Sequence, residues 1–297
     1  MAKIRANGID IEYESHGSER DPALLLIMGL GAQLTVWPVP FVEALVARGF
    51  RVIRFDNRDV GLSTKIERAG VPNLYAIVAQ QFLRFRPQVP YTVADMAEDA
   101  AGLLDALGIR SAHVVGASMG GMIAQHLAAR NSDKVLSLTS MMSTTGNPML
   151  PMASFDAMRA LIRRPRSQSI DSLVAHGMEL TRTIAGPGYP MDEEVLRARV
   201  RENIERASYA PGFTRQLAAI IADGDRRSML RRLRVPTVVI HGTTDPLIPL
   251  ACGRDTAANI PGARLVELER MGHSLPLELV PAIVEAIAAV TEERLAA

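Results

Sequence analysis

Cysteine is almost missing from this sequence. Cys252 stands alone in 297 residues, so no disulfide can close within the chain and no cysteine-based metal site can be assembled. An excess of either charge is missing too. Lys and Arg number 33 against 32 Asp and Glu, a net charge of +1, which provides no field for nucleic acid or for an anionic membrane. Lysine is scarce, confined to Lys3, Lys65 and Lys134, a bias read as genomic base composition and not as function. No uninterrupted apolar run reaches the roughly 18 residues of a membrane span; the stretch 275–290 carries Glu278 and Glu285 and reads as an amphipathic closing helix. The opening residues Met-Ala-Lys-Ile-Arg-Ala-Asn-Gly lack the apolar core of a signal peptide. These absences predict a reducing, cytoplasmic setting and exclude nucleic acid and membrane as partners. A monomer or a homodimer is the expected assembly.

What is present is an ordinary globular composition, 48% hydrophobic and 22% charged, in a chain long enough for a substantial core. Residues 4–6 and 9–13, joined across Asn7-Gly8, fit a β-hairpin with a tight turn. Residues 24–28, Leu-Leu-Leu-Ile-Met, form an apolar run of the kind buried on both faces of a sheet. Further strands are predicted at 51–55, 113–117, 135–141, 235–240 and 264–268. Helices are predicted at 39–48, 92–107, 119–130, 249–259 and from 275 onward. Thr92 and Asp95 make a variant of the capping box. Such alternation predicts an α/β fold: a mostly parallel central sheet with helices on both faces.

One stretch breaks the alternation. Residues 143–233 hold no convincing strand and four helix candidates, at 155–163, 169–184, 192–206 and 211–221, punctuated by Pro148, Pro151, Pro165, Pro187 and Pro190. An insertion of this size between two strands predicts a helical cap, 143–233, over the sheet's carboxyl edge, where open α/β sheets bind ligands. The core domain is then 1–142 plus 234–297. A separate helical domain is the alternative. The insertion's arginines (Arg163, Arg164, Arg166, Arg226, Arg227, Arg231, Arg232) read as solvated helix faces.

Gly116-Ala117-Ser118-Met119-Gly120 lies between the strand 113–117 and the helix 119–130, and matches the G-x-S-x-G nucleophile elbow. A strand that turns into a helix within one residue holds that residue in a strained, left-handed conformation. Gly116, Gly120 and Gly121 remove side chains where the two backbones come closest. The turn lifts the Ser118 hydroxyl clear of the sheet and leaves the Met119 N–H at a helix start, where an anion is favoured.

A serine hydroxyl is a weak nucleophile near neutral pH and needs an oriented base. Of the six histidines, His113 lies at the wrong edge of the sheet. His126 reads as a packed core residue, while His16 and His176 sit in the hairpin and in an insertion helix. His273, in the loop Arg270-Met271-Gly272-His273-Ser274, is the candidate base; His241, at a strand end, is the alternative. Asp245, in the strand exit His241-Gly242-Thr243-Thr244-Asp245-Pro246, is the candidate acid. Asp223 and Asp225 lie at the insertion's return, and Asp56 is expected to pair with Arg58. The second donor for an oxyanion is expected from Gly29-Leu30-Gly31, making the N–H groups of Leu30 and Met119 the pair. One cysteine and scattered histidines give no convincing metal site.

These motifs together resemble the α/β-hydrolase superfamily, across essentially the whole chain: Leu-Leu-Leu-Ile-Met-Gly, Val-Ile-Arg-Phe-Asp-Asn-Arg-Asp-Val-Gly-Leu-Ser, Gly-Ala-Ser-Met-Gly-Gly, His-Gly-Thr-Thr-Asp-Pro-Leu-Ile-Pro and Met-Gly-His-Ser. Ile-Met-Gly in place of the more usual His-Gly, the later Trp37-Pro38, and Arg-Phe-Asp-Asn-Arg-Asp are similar to the aclacinomycin methylesterase group. The resemblance implies carboxylic-ester hydrolysis by a Ser-His-Asp triad, a small-molecule ester substrate and no cofactor. Ser118 argues against the branches that carry an aspartate at the elbow. A C–C bond hydrolase or perhydrolase using the same triad is the main alternative, and a non-catalytic small-molecule receptor a more distant one. Trp37, Met141, Met142, Met149 and Met152, with Met119, fall on loops or strand ends facing the insertion and are the candidate apolar substrate surface.

Overall fold

A computed structural model describes residues 1–83, 85 and 87–292. The hairpin consists of β1 (Ala2–Ala6) and β2 (Ile9–His16). Asn7 and Gly8 at its tip have φ of 45° and 77°, the positive pair that a two-residue hairpin turn requires. The remaining strands are β3 (Ala23–Ile27), β4 (Arg51–Phe55), β5 (Ala112–Ala117), β6 (Val135–Met141), β7 (Thr237–Gly242) and β8 (Arg264–Leu268). They form one sheet in the order β1-β2-β4-β3-β5-β6-β7-β8. β2 runs antiparallel to β1 and β4, and every other pairing is parallel.

The helices are α1 (Val39–Ala47), α2 (Leu74–Phe82), α3 (Val93–Ala106), α4 (Met119–Arg130), α5 (Phe155–Ile162), α6 (Ile170–Ala185), α7 (Glu193–Arg206), α8 (Ala210–Asp223), α9 (Arg227–Leu230), α10 (Leu250–Ala258) and α11 (Val280–Glu292). Alternate residues of each strand go to opposite faces, which divides the core into two layers. Leu25, Ile27 and Val114 pack with α3 and α4, whereas Leu24, Leu26 and Val115 pack with α1 and α11. The sheet is thus buried on both sides, which is why its central strands read as unbroken apolar runs. Thr92 and Asp95 complete a reciprocal capping box at the start of α3. The sequence reading missed α2, whose cap Asn73 accepts from the Tyr75 and Ala76 N–H groups, and the single turn α9.

Helices α5 to α9 lie between β6 and β7, and α6 and α7 carry a small core of their own, Val174, Met178 and Leu196. The insertion is tied to loops that leave the carboxyl ends of the strands. The His273 N–H donates to the Ile184 carbonyl at 2.8 Å, the Tyr189 hydroxyl donates to the Glu269 carbonyl at 3.1 Å, and the Gln33 amide donates to the Ala207 carbonyl at 3.0 Å. Arg226 departs from the expectation of solvated arginines. It is buried and spans Gln125 on α4, the Thr144 carbonyl and Asp223.

The exit of β4 corrects the expected pairing of Asp56 with Arg58. Asp56 is wholly buried and accepts from Arg206 of α7 at 2.7 Å, while Arg58 reaches Asp99 of α3, with Nη2 at 2.6 Å from Oδ1. The chain turns at Asn57 to Asp59, where Asp59 has φ 69°, and the two side chains leave on opposite sides. Asp59 itself is buried and takes both prongs of the Arg215 guanidinium from α8 at 2.7 and 2.8 Å, plus the Ile66 N–H and the Tyr91 hydroxyl.

Burial pushes the Asp59 carboxyl up, but the Arg215 bonds, the Ile66 N–H and the Tyr91 hydroxyl together outweigh it, and its pKa lies below the ordinary aspartate value. A depressed carboxylate contributes stability that is complete above its unfolded pKa and is lost as pH falls toward the folded one. Asp59→Asn leaves the Arg215 charge buried without its partner and is expected to cost about 3–5 kcal/mol at pH 7. Urea unfolding should show that gap closing as pH drops below about 4. A gap independent of pH would assign the loss to packing alone.

Candidate active site

Parallel strands deliver their following loops to one edge, and the chemistry collects there. At the end of β5, Ser118 has φ 58° and ψ −122°, a conformation strained for any residue with a side chain. The surrounding glycines make that turn possible by contact, not by flexibility. A Cβ on Gly116 would stand 2.1 Å from the Gly120 carbonyl oxygen, and one on Gly120 would stand 2.0 Å from that of Ile27. Helix α4 therefore rests directly on the backbones of β5 and β3. The strained carbonyl is also held: the Ser143 hydroxyl donates to the Ser118 oxygen at 2.8 Å.

Ser118 Oγ lies 2.9 Å from His273 Nε2, and His273 Nδ1 lies 2.7 Å from Asp245 Oδ2. Asp245 is buried, and its other oxygen accepts the N–H groups of Leu247 and Ile248 at 2.9 and 2.8 Å. A carboxylate can only accept, so the proton on His273 sits at Nδ1. Nε2 is left with a lone pair facing the serine hydroxyl.

His241 is placed otherwise. It is wholly buried at the end of β7, its Nε2 bonds the Ile248 carbonyl at 2.7 Å, and it lies 3.8 Å from Asp245 Oδ2. A carbonyl accepts, so Nε2 carries the proton. Burial, the largest influence, lowers its pKa and keeps the ring neutral. The geometry brings His273, not His241, to the serine. His126 bonds Asp223 of α8 at 2.8 Å, behind α4.

Gly29 packs against Ser118, since a Cβ on it would lie 3.0 Å from Ser118 Cβ. Leu30 follows it at the edge of the site. Among the described residues no partner takes up the N–H of Leu30 or of Met119. Of the expected apolar surface, Trp37 stacks on Phe41 at 5.5 Å between ring centroids. It belongs, with Met141 and Met142, to the buried cluster that includes Met28, Ala117 and Met271. Met119 packs on the other side of the sheet. Met149 and Met152 are a correction: they are 86% and 80% exposed and line no enclosed surface. The chain turns at Asn147, whose side chain accepts the Met149 N–H and whose carbonyl accepts the Leu150 N–H, and this segment runs over the outside.

Residues that the sequence reading passed over also converge here. Gln216 of α8 bonds the Gly31 N–H at 2.8 Å, and Asn203 of α7 receives the Thr35 hydroxyl at 2.5 Å. A glutamine on the apolar stripe of α8, three residues after Phe213, was the available signal. Among the described residues no group of three or more His, Cys, Asp or Glu side chains is placed to hold a metal ion, and no helix is long and apolar enough to cross a membrane.

A nucleophile elbow, a mostly parallel sheet and a helical insertion after the sixth strand together mark out one class of protein. A family model for the alpha/beta hydrolase fold matches residues 22–278, and the chain belongs to that family. It is similar to rhodomycin D methylesterase DnrP of Streptomyces peucetius, 32% identical over an alignment of 311 positions that covers 97% of each chain. The chain is accordingly an enzyme, a hydrolase of the esterase kind. It is also similar to a 2-hydroxy-6-oxononadienedioate/2-hydroxy-6-oxononatrienedioate hydrolase of Burkholderia vietnamiensis, at 27% identity over 89% of this chain and 84% of that one. The enol-lactonase from Burkholderia xenovorans LB400 matches with a TM-score of 0.71 and 26% identity, over 98% of this chain and 100% of that one.

Proposed function

We propose that this enzyme hydrolyses carboxylic esters of small apolar molecules by acyl transfer through Ser118, His273 and Asp245. The observation that carries the reading is the unbroken run from Ser118 Oγ to His273 Nε2 at 2.9 Å and from His273 Nδ1 to Asp245 Oδ2 at 2.7 Å. His273 takes the serine proton as Oγ attacks the ester carbonyl. The N–H groups of Leu30 and Met119 receive the oxyanion, at the start of α4 where the helix dipole favours negative charge. Asp245 holds the imidazole tautomer and stabilises the imidazolium. Collapse of the intermediate expels the alcohol, which takes its proton from His273. Water, activated by the same imidazole, then releases the acid from Ser118.

Trp37, Met141 and Met142 are buried and back the site from the core without lining it, and residues 143–233 act as a cap over a core of 1–142 and 234–297. A second reading, C–C bond hydrolysis with the same triad, has the Burkholderia vietnamiensis relative in its favour. A panel of p-nitrophenyl esters from acetate to decanoate, run beside a 2-hydroxy-6-oxo dienoate, separates the two. Ester turnover with a kcat/KM at least tenfold above that of the dienoate supports the esterase reading, and the reverse order overturns it. A fluorophosphonate probe should label Ser118 in either case.

A further inference from the structure

We infer that Gln216, on the inserted helix α8, is a positioning residue for the oxyanion loop, so that the insertion and not the core domain alone sets the oxyanion hole. The inference rests on the serine-hydrolase reading above. The loop after β3 closes a turn through the Ala32 N–H on the Gly29 carbonyl at 3.2 Å. Leu30 and Gly31 are its two central residues. Gly31 has φ 66° and occupies the third position, where a type II turn needs a positive φ. The Gly29 carbonyl points into the turn toward Ala32. The Leu30 N–H belongs to the same trans peptide and points the other way, out of the turn.

The central peptide of that turn is held by one side chain. The Gly31 N–H donates to Gln216 Oε1 at 2.8 Å, and Gln216 Nε2 donates to the Arg58 carbonyl at 2.9 Å. Gln216 is wholly buried, so both ends of its amide are committed away from water, one to the loop after β3 and one to the loop after β4. Phe213, three residues earlier on the same face of α8, closes the other side: a Cβ on Gly31 would lie 2.8 Å from Phe213 Cδ2. The loop is thereby wedged between Ser118, against which Gly29 packs too closely to leave room for a Cβ, and α8. With Gln216 gone, the central peptide has no fixed partner and the Leu30 N–H loses its fixed aim. An oxyanion donor contributes mainly in the transition state, so the loss falls on kcat and not on KM.

The test uses full-length protein, a fluorophosphonate to count competent sites, and p-nitrophenyl butyrate as substrate. Gln216→Met keeps the length of the side chain and removes both hydrogen bonds. It is expected to lower kcat per labelled site by roughly 10- to 100-fold, less than the loss of an oxyanion donor outright, with KM within about threefold. A lower Tm with kcat per labelled site within twofold of wild type would overturn the inference and leave Gln216 as packing.

Gln216→Glu is the second variant. Its protonated carboxyl offers the same acceptor and donor as the amide, whereas the ionised form faces the Arg58 carbonyl with no proton to give. Burial favours the protonated form at low pH, so the kcat ratio of Gln216→Glu to wild type should fall as pH rises from about 6 to 9; a flat ratio overturns the inference, and this variant decides alone if Gln216→Met does not fold. Ser118→Ala in the same assay separates the two levels. If it retains activity, the serine reading fails and takes this inference with it. If it is inactive while Gln216→Met turns over like wild type per site, the clamp alone is wrong.

Discussion

Ser118→Ala is expected to lower kcat on p-nitrophenyl butyrate by roughly 10³- to 10⁶-fold, while the stability of the fold changes by no more than about 1 kcal/mol. The size of the first number follows from the way the three side chains are coupled. His273 Nε2 has the serine hydroxyl as its partner at 2.9 Å, and without Oγ the base has no nucleophile to activate, so the contribution of Asp245 disappears with it. What survives is the proposed oxyanion pair and substrate binding, which accelerate attack by water only weakly. The smallness of the second number follows from the packing around the elbow. The close approach of α4 to β5 and β3 is made by Gly116 and Gly120, and the Ser118 carbonyl is held by Ser143. Neither contact involves the hydroxyl. Alanine adopts the φ of 58° at the same cost as serine. Retention of more than a tenth of wild-type kcat, with fluorophosphonate labelling abolished, would place the chemistry elsewhere.

Features whose cause is local were legible from the sequence. Asn7-Gly8 demands its hairpin turn wherever it occurs, and Thr92 with Asp95 caps α3 without help from the rest of the molecule. The elbow belongs to the same group, because its strain and the glycines that permit it lie within six residues. The order of loops along the sheet's carboxyl edge was also readable, since parallel strands allow only one edge for Ser118, Asp245 and His273. The partners of side chains that leave a turn were not. Asp56 and Arg58 are two residues apart, yet Asp56 meets Arg206 from α7 and Arg58 meets Asp99 from α3. Both choices are set by helices far along the chain. The partners of Gln216 and Arg215 were hidden for the same reason. A polar pair at the edge of an apolar helix stripe looks like solvent exposure until the loops it faces are in place. Met149 and Met152 failed in the opposite direction: composition drew them inward, and a turn at Asn147 with no element to cover it left them outside.

Asp245, as the proposed acid, allows a sharper forecast than loss of charge alone. Asp245 Oδ1 accepts two backbone N–H groups, from Leu247 and Ile248, and an amide nitrogen cannot accept either. Asp245→Asn must therefore place its carbonyl oxygen at that position and its NH₂ toward His273 Nδ1. His241, 3.8 Å from the original Oδ2, gives its Nε2 proton to the Ile248 carbonyl and does not outweigh the two backbone N–H groups that fix the amide. An NH₂ pointing at Nδ1 makes that nitrogen an acceptor and moves the ring proton to Nε2. His273 then presents N–H to Ser118 where it must present a lone pair. The expected outcome is a fall in kcat of about 10²–10⁴ with KM changed only a few-fold, because the substrate surface is untouched and only the tautomer is wrong. Nitrogen-15 NMR of the histidine rings reads the cause directly. The His273 proton should sit on Nδ1 in the wild type and on Nε2 in the variant, while His241 keeps its proton on Nε2 in both. A variant with the Nε2 tautomer and full activity would show that His273 does not take the serine proton. A variant that keeps the Nδ1 tautomer and loses activity would assign Asp245 an electrostatic role in place of an orienting one.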